Sequence, residues 1–235
     1  MVMGREGSEI QYNTDASGDN PAAIPAYLAQ PAPGRGRGIL VIHENWGLTD
    51  ATRDVCDRLA RAGFVALAPD LYRGRSAEDR AAAHQLAKEL DTDRVARDLD
   101  AAVGELYNQN ATEGPRIGAL GFCIGGALAL LTACRNRRVG AVVNFYGAYP
   151  AIEPDFANLE APVLAIFAGD DELITQPMVR SLEADLERAG VRASIQVRAG
   201  VRHGYMNDSQ PDVHDAVAAS EGWDALLALF RAELA

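Results

Sequence analysis

The stretch that decides the fold reads Gly121-Phe122-Cys123-Ile124-Gly125-Gly126. It follows an apolar run typical of a buried strand and precedes Ala127–Leu131, a run that favours a helix. A strand, a sharp turn and a helix in this order form the setting of a nucleophile elbow, written here G-x-C-x-G instead of G-x-S-x-G. Glycine at 121 and 125 permits the strained turn, because a side chain there would collide with the following helix.

The elbow predicts a role for Cys123 and for the backbone beside it. Both the thiol and the Ile124 N–H would lie at the start of a helix, where the dipole favours a thiolate and a developing oxyanion. The alternative is that Cys123 is a small core residue, which is the common fate of a buried cysteine. A dinucleotide site is disfavoured because the G-x-G-x-x-G spacing is not met.

Length and composition bound the class of protein. A chain of 235 residues with 48% hydrophobic and 23% charged residues suits a single α/β domain spanning residues 1–235. The net charge of −11 argues against a nucleic-acid partner. Without a long apolar stretch or a signal-peptide pattern in Met1–Tyr12, we expect no membrane partner and a cytoplasmic location. We also expect a monomer or small homo-oligomer.

The cysteines and the other potential metal ligands give no sign of a bound metal. Cys56, Cys123 and Cys134 have no metal-ligand spacing and cannot all pair in disulfides. No H-E-x-x-H or paired His/Asp spacing is present either, which disfavours a metal hydrolase. The expectation is therefore an enzyme with no cofactor and no metal.

Strand and helix signals alternate along the chain. Predicted strands are Glu9–Tyr12, Ile24–Gln30, Gly38–His43, Phe64–Pro69, Arg116–Leu120, Val139–Tyr146, Pro162–Phe167 and Ser194–Val197. Predicted helices are Thr49–Ala62, Ala77–Leu90, Asp93–Tyr107, the elbow helix ending near Cys134, Pro177–Ala189 and Val213–Glu233. A polar turn is expected at Ala16–Asn20 and a loop at Pro33–Gly38. The pattern predicts a mainly parallel, doubly wound sheet with helices on both faces, an antiparallel N-terminal edge and ligands at the carboxyl ends of the strands.

A thiol nucleophile needs a base, and four histidines are available. His84 and His214 lie in predicted helices and are expected to be solvated or packing residues. His43 ends a predicted strand, so it could line a site. His203 follows the last predicted strand, which is where the chain order nucleophile, acid, histidine places the base.

The orienting acid is expected in the acidic run after the strand Pro162–Phe167. That run contains Asp170, Asp171 and Glu172. Asp171 is the preferred candidate, with the other two as alternatives. The structural interpretation is a solvated turn and helix start, which is expected for two of the three acids.

The loop His43-Glu44-Asn45-Trp46-Gly47 follows a predicted strand and should lie at the same edge of the sheet. A backbone N–H near Asn45 is expected to be the second oxyanion donor, paired with that of Ile124. Trp46 either lines the pocket or is a core aromatic. A carboxylate such as Glu44 at the end of an apolar strand is costly without a partner, so it is either ion-paired or exchanges a proton with Cys123.

These stretches together resemble the dienelactone hydrolase family of α/β-hydrolases, the carboxymethylenebutenolidases. The matching pieces are His43-Glu44-Asn45-Trp46-Gly47, Ala68-Pro69-Asp70-Leu71-Tyr72, Gly121-Phe122-Cys123-Ile124-Gly125-Gly126, Asp171 and His203-Gly204-Tyr205. The resemblance implies an α/β-hydrolase fold and a Cys123, His203 and Asp171 triad that hydrolyses an enol-lactone. It also implies that Glu44 is an auxiliary carboxylate that contacts the resting thiol.

The resemblance extends to the residues expected to bind substrate, which are Trp46, Tyr72, Arg73, Arg75, Tyr146 and Tyr205. Family members hold the substrate carboxylate with two arginines. Arg73 or Arg75 matches the first by position, but Met206-Asn207-Asp208 stands where the second is expected. Arg202 is an alternative to that missing arginine.

The sequence therefore predicts a cysteine-dependent hydrolase of a small-molecule enol-lactone or ester, acting by acyl transfer. Two alternatives use the same fold: a general carboxylesterase or thioesterase, and a non-catalytic ligand-binding relative. A redox-sensing thiol protein is disfavoured because Cys134 lies too far along the elbow helix to pair with Cys123.

Overall fold

The computed structural model describes residues 7–14, 23–32 and 34–235. The expected turn at Ala16–Asn20 and the Pro33 part of the expected loop lie outside these residues. The chain divides into two compact units, one ending at Ile117 and the other beginning at Gly118. Among the described residues, no helix combines the length and the apolar character needed to cross a membrane.

The described residues form eight strands and six α-helices. The strands are β1 (Gly7–Asn13), β2 (Ala23–Ala29), β3 (Gly36–Ile42), β4 (Phe64–Pro69), β5 (Thr112–Phe122), β6 (Val139–Phe145), β7 (Val163–Ala168) and β8 (Ala193–Arg198). The helices are α1 (Asp50–Arg61), α2 (Arg80–Lys88), α3 (Thr92–Asn108), α4 (Ile124–Arg135), α5 (Gln176–Arg188) and α6 (Ala216–Glu233). A short 3₁₀ helix, Phe156–Asn158, follows β6.

The strands form one mostly parallel sheet in the order β1-β2-β4-β3-β5-β6-β7-β8. In the first unit, β1 pairs antiparallel with β2, and β2 antiparallel with β4, while β3 and β4 run parallel. In the second unit, β6, β7 and β8 run parallel to one another. The predicted mainly parallel sheet with an antiparallel N-terminal edge is therefore confirmed.

The central strands are continuous apolar runs in the sequence because they are buried in the fold. Every residue of β4, β6 and β7 is buried, as expected for parallel strands covered on both faces. In contrast, β8 lies at the end of the strand order and has no fully buried residue. Within the first unit, α1 and α3 pack on β4, and their buried residues include Leu59 and Leu99. Each such buried side chain contributes about 1.5–3 kcal/mol.

Two helices begin later than predicted because an aspartate caps them. The predicted helix Ala77–Leu90 begins at Arg80, since Asp79 accepts a hydrogen bond from the Ala82 N–H. The predicted helix Val213–Glu233 begins at Ala216, since Asp215 accepts hydrogen bonds from two N–H groups of the first turn. A capping carboxylate satisfies N–H groups that the helix itself leaves without partners, so it fixes where the helix starts.

The elbow strand is longer than predicted. It begins at Thr112, four residues before the expected Arg116. Gly114 and Pro115 are poor strand residues by propensity, so the pattern predicted a start after them. The added segment is mostly exposed and includes Gly114 at a positive φ of 85°.

Candidate active site

The elbow at Cys123 has the strained geometry that its glycines permit. Cys123 precedes the first residue of α4 and has φ 55° and ψ −124°, a region that a non-glycine residue rarely occupies. A Cβ on Gly121 would lie 1.9 Å from the Gly125 carbonyl oxygen, so only glycine fits there. Cys123 is thus held at the tip of a tight turn between β5 and the N-terminus of α4.

A buried asparagine at the end of β6 braces this turn. The Asn144 side chain donates to the Gly147 carbonyl oxygen at 2.7 Å and accepts from the Gly147 N–H at 2.9 Å. A Cβ on Gly147 would lie 2.4 Å from the Cys123 carbonyl oxygen, so the two backbones touch. Asn144 was not predicted from the sequence to take part in the site. A polar residue inside the apolar run of β6 could have indicated that it has a hydrogen-bonding role.

His203 lies between the thiol and a buried carboxylate. Its Nε2 is 3.2 Å from the Cys123 Sγ, and its Nδ1 is 2.7 Å from Asp171 Oδ2. The Asp171 side chain is 0% exposed, and its other oxygen accepts the N–H groups of Leu173 and Ile174, each at 2.8 Å. These bonds fix the carboxylate, so the imidazole that it holds presents Nε2 to the sulfur.

The surroundings of His203 favour the imidazolium. Burial alone would lower the pKa of His203, but its hydrogen bonds with Asp171 and Cys123 more than offset that effect and raise the pKa to about 10. A protonated imidazole beside the sulfur is the arrangement that stabilises a thiolate nucleophile.

A cluster of tyrosines surrounds these groups. The rings of Tyr146 and His203 lie 4.9 Å apart, and those of Tyr146 and Tyr205 lie 5.5 Å apart. Tyr146 has a positive φ of 44°, and both tyrosines are fully buried. Both were expected from the sequence as substrate-binding residues; Tyr146 packs against the imidazole, and Tyr205 packs against Tyr146.

Tyr149 was not predicted, yet it touches the sulfur. Its hydroxyl lies 3.1 Å from the Cys123 Sγ, and its side chain is half-buried. It follows the end of β6 by four residues, in the run Tyr146-Gly147-Ala148-Tyr149. The nearness of Tyr149 to a strand end could have indicated this contact. The periodicity of apolar residues, however, does not predict the conformation of an irregular segment.

Two of the other three histidines, His43 and His214, contact backbone groups of the chain. His43 donates from Nδ1 to the Glu44 carbonyl oxygen at 2.6 Å and accepts the Leu71 N–H at Nε2, 3.2 Å away. Burial lowers the pKa of His43, so the ring is neutral with both nitrogens engaged. His214 was wrongly placed in the last helix. It precedes α6 and contacts the Tyr205 carbonyl oxygen.

The loop carrying Glu44, Asn45 and Trp46 forms a turn in the first unit. The Gly47 N–H donates to the Glu44 carbonyl oxygen at 3.2 Å. Glu44, Asn45 and Trp46 are each half-buried. Tyr72 is buried, and its ring lies 5.0 Å from that of His43. His43 therefore joins this loop to the one after β4.

Arg73 and Arg75, one of which was expected to bind a substrate carboxylate, both already contact carboxylates of the chain. Arg73 lies 2.7 Å from Asp98, whose side chain is only 2% exposed. Arg75 lies 2.8 Å from Glu89, and both side chains are exposed. A substrate carboxylate would have to compete with these partners. Arg202, the alternative, is exposed.

Within residues 7–14, 23–32 and 34–235, no group of three or more His, Cys, Asp or Glu side chains is arranged to hold a metal ion. All three cysteines are free thiols.

Known proteins share both the sequence pattern and the fold. The profile of the Dienelactone hydrolase family matches residues 24–234. The chain is 32% identical over 219 residues to "Protein usf" of Aquifex pyrophilus, covering 90% of this chain and 94% of that protein. It is 32% identical over 222 residues to the Aquifex aeolicus "Putative carboxymethylenebutenolidase", covering 92% and 96%.

A solved structure agrees with these relatives. The "Putative Dienelactone Hydrolase" of Klebsiella pneumoniae superposes with a TM-score of 0.82 at 28% identity, covering 95% of this chain and 99% of that one. The predicted α/β-hydrolase fold is thereby confirmed. The chain belongs to the dienelactone hydrolase family and is a hydrolase that acts on ester or lactone bonds.

Proposed function

We propose that this hydrolase cleaves a small-molecule ester or lactone by acyl transfer to Cys123, with His203 as acid and base and Asp171 as its orienting partner. The observation that carries the proposal is the continuous contact from the thiol through the imidazole to a buried carboxylate, at 3.2 and 2.7 Å. Such a chain of contacts is the requirement for an activated nucleophile. A reducing compartment such as the cytoplasm would suit the free thiol.

In the first half-reaction, the thiolate attacks the carbonyl carbon and the carbonyl oxygen becomes an oxyanion. The Ile124 N–H at the start of α4 and a backbone N–H near Asn45 are the proposed donors, each worth roughly 3–4 kcal/mol. The tetrahedral intermediate collapses, the C–O bond breaks, and His203 Nε2 gives its proton to the leaving oxygen. A thioester on Cys123 remains.

In the second half-reaction, neutral His203 takes a proton from water, and the resulting hydroxide attacks the thioester carbon. The C–S bond breaks and the acid is released with the thiolate restored. Asp171 keeps Nε2 directed at the reacting atoms throughout. Glu44 is proposed as an auxiliary carboxylate of this reaction.

Within this chemistry, a neutral ester is favoured over a carboxylate-bearing dienelactone. Arg73 and Arg75 are each paired with a carboxylate of the chain, and Asn207 stands near where the family has its second arginine. A substrate carboxylate entering a chain of net charge −11, in which Arg73 and Arg75 already have carboxylate partners, would lose its hydration with less compensation. This favours the carboxylesterase alternative on the same three residues.

The substrate preference is tested by comparing p-nitrophenyl acetate with a cis-dienelactone. We expect kcat/KM to be at least about tenfold higher for the neutral ester, because only the dienelactone carries a charge that the site leaves uncompensated. The matched control is the methyl ester of the same lactone, which should recover most of the difference. A strong preference for the free dienelactone would establish the carboxylate-binding function instead.

Tyr149 is proposed to donate a hydrogen bond to the thiolate. Removing the hydroxyl in Tyr149→Phe should lower kcat/KM for p-nitrophenyl acetate about tenfold, since a hydrogen bond to a charged group is worth about 1.5–3 kcal/mol. Tyr107→Phe, on α3, is the matched control and should keep the wild-type kcat/KM. An unchanged kcat/KM in Tyr149→Phe would contradict this role.

A further inference from the structure

A cavity of about 830 Å³ lies within the second unit, beside the elbow helix. Its walls come from α4, from the segment after β6 and from α5. The apolar part of the lining includes Ala127, Leu130, Ile152, Phe156, Met178 and Leu182. The volume falls within the range of about 300–1,000 Å³ that is usual for small-molecule sites.

Two lining residues connect the cavity to the reacting sulfur. Tyr149 lines the cavity and places its hydroxyl 3.1 Å from the Cys123 Sγ. Gly147 also lines it, and its backbone packs against the Cys123 carbonyl group so closely that a Cβ would lie at 2.4 Å. The cavity therefore begins one side chain away from the sulfur.

The charged residues of the lining decide which kind of group would bind. Arg188 is the lining's cation, and it pairs with Asp185 at 2.6 Å. Glu153 adds an exposed carboxylate. A negatively charged group would therefore meet a net acidic lining, whereas an uncharged apolar group would leave water for the aliphatic and aromatic wall.

We propose that this cavity binds the uncharged, apolar acyl arm of the substrate while the carbonyl carbon is bonded to Cys123. This inference rests on the proposed acyl transfer, in which the acyl group stays on the sulfur after the leaving group departs. The acyl arm is thus the part of the substrate that remains beside Tyr149 through both half-reactions. Apolar esters with medium-length acyl chains are the substrate class that follows.

The first test measures kcat/KM for p-nitrophenyl acetate, butyrate and octanoate. In the wild type, the value should rise by about tenfold or more from acetate to octanoate, because each methylene that enters an apolar pocket adds affinity. Met178→Trp narrows the cavity and should abolish most of this rise, with a much larger loss for octanoate than for acetate. Ala184→Trp, on the exposed side of the same helix, is the matched control and should retain the wild-type profile.

A chain-length profile that is flat in the wild type, or equal losses for acetate and octanoate in a folded Met178→Trp, would overturn the proposal. Circular dichroism and thermal unfolding check that both tryptophan variants fold. If Met178→Trp does not fold, Ser181→Trp takes its place, since Ser181 is exposed and lines the same cavity.

A second test separates the cavity from the hydrolase function. Cys123 is alkylated with N-methylmaleimide or N-octylmaleimide. Each alkylation rate is divided by the rate at which the same reagent alkylates glutathione, and the modified residue is identified by peptide mass. The octyl reagent should react at least about tenfold faster in the wild type, and Met178→Trp should remove this preference. If the octyl reagent reacts faster but no ester is hydrolysed, the acyl-transfer function is refuted and the cavity's role in binding apolar groups stands. If esters are hydrolysed but the octyl reagent reacts no faster, the cavity's proposed role is refuted.

Discussion

Cys123→Ala is expected to lower kcat/KM for p-nitrophenyl acetate by at least about 10⁴-fold, because removal of a nucleophile leaves only the oxyanion donors and substrate binding. The 2.9 Å hydrogen bond from the Cys123 N–H to Phe145 is a backbone contact that alanine keeps. Far- and near-ultraviolet circular dichroism should therefore match the wild type. Steady-state hydrolysis with both proteins at equal concentration measures the loss.

Cys134→Ala provides the matched control for the loss of a buried thiol. Burial raises the pKa of the Cys134 thiol to about 12, with a smaller contribution from Asp155 in the same direction, so it stays protonated near neutral pH. The variant should keep more than half of the wild-type activity. Retention of a tenth or more of the activity in Cys123→Ala would contradict the assignment of the nucleophile.

The second large effect is expected for Asp171→Asn. The amide cannot replace the carboxylate that holds His203 Nδ1, so the imidazole loses both its orientation and its charge partner. By analogy with serine hydrolases, kcat/KM should fall by about 10²–10⁴-fold. The matched controls are Asp170→Asn and Glu172→Gln, which alter the exposed neighbours in the same acidic run and should change kcat/KM by less than about threefold.

The same variant has a pH-dependent effect on stability. His203 has its pKa raised in the folded state to about 10, compared with 6.5 as the reference value. The stability contributed by protonating this group is present in full below pH 6.5 and is lost as the pH rises towards 10. The difference in unfolding free energy between the wild type and Asp171→Asn should therefore be larger at pH 6 than at pH 10, as measured by urea denaturation. An equal difference at both values would contradict the raised pKa.

The sequence was most informative where local rules and chain order coincide. Apolar runs between turn residues predicted β4 with the bounds that the structure shows, and the glycines around Cys123 predicted the turn before α4. The order of nucleophile, acid and histidine pointed to His203 and to the acidic run in which Asp171 was the preferred candidate, and the structure places Asp171 within hydrogen-bond distance of His203. Strand ends of a parallel sheet meet at one edge, so residues far apart in sequence converge predictably.

Other features depend on contacts that no local pattern reports. Tyr149 reaches the sulfur from an irregular segment, where neither period of two nor period of 3.6 gives a side-chain direction. The pairing of Arg73 with the buried Asp98 joins residues 25 positions apart. The cavity beside α4 is likewise lined by segments that lie apart in the sequence. These tertiary contacts bear most directly on the substrate, which is why the fold was easier to predict than the specificity.

The most direct test of the central claim is to trap the covalent intermediate. Wild-type protein is mixed with p-nitrophenyl acetate, quenched in acid on the millisecond timescale, and analysed by intact mass and peptide mapping. The account predicts one acetyl group per chain, located on the peptide that contains Cys123, and its absence in Cys123→Ala. Full turnover with no acyl group on Cys123, or with the label on another residue, would contradict acyl transfer through this thiol.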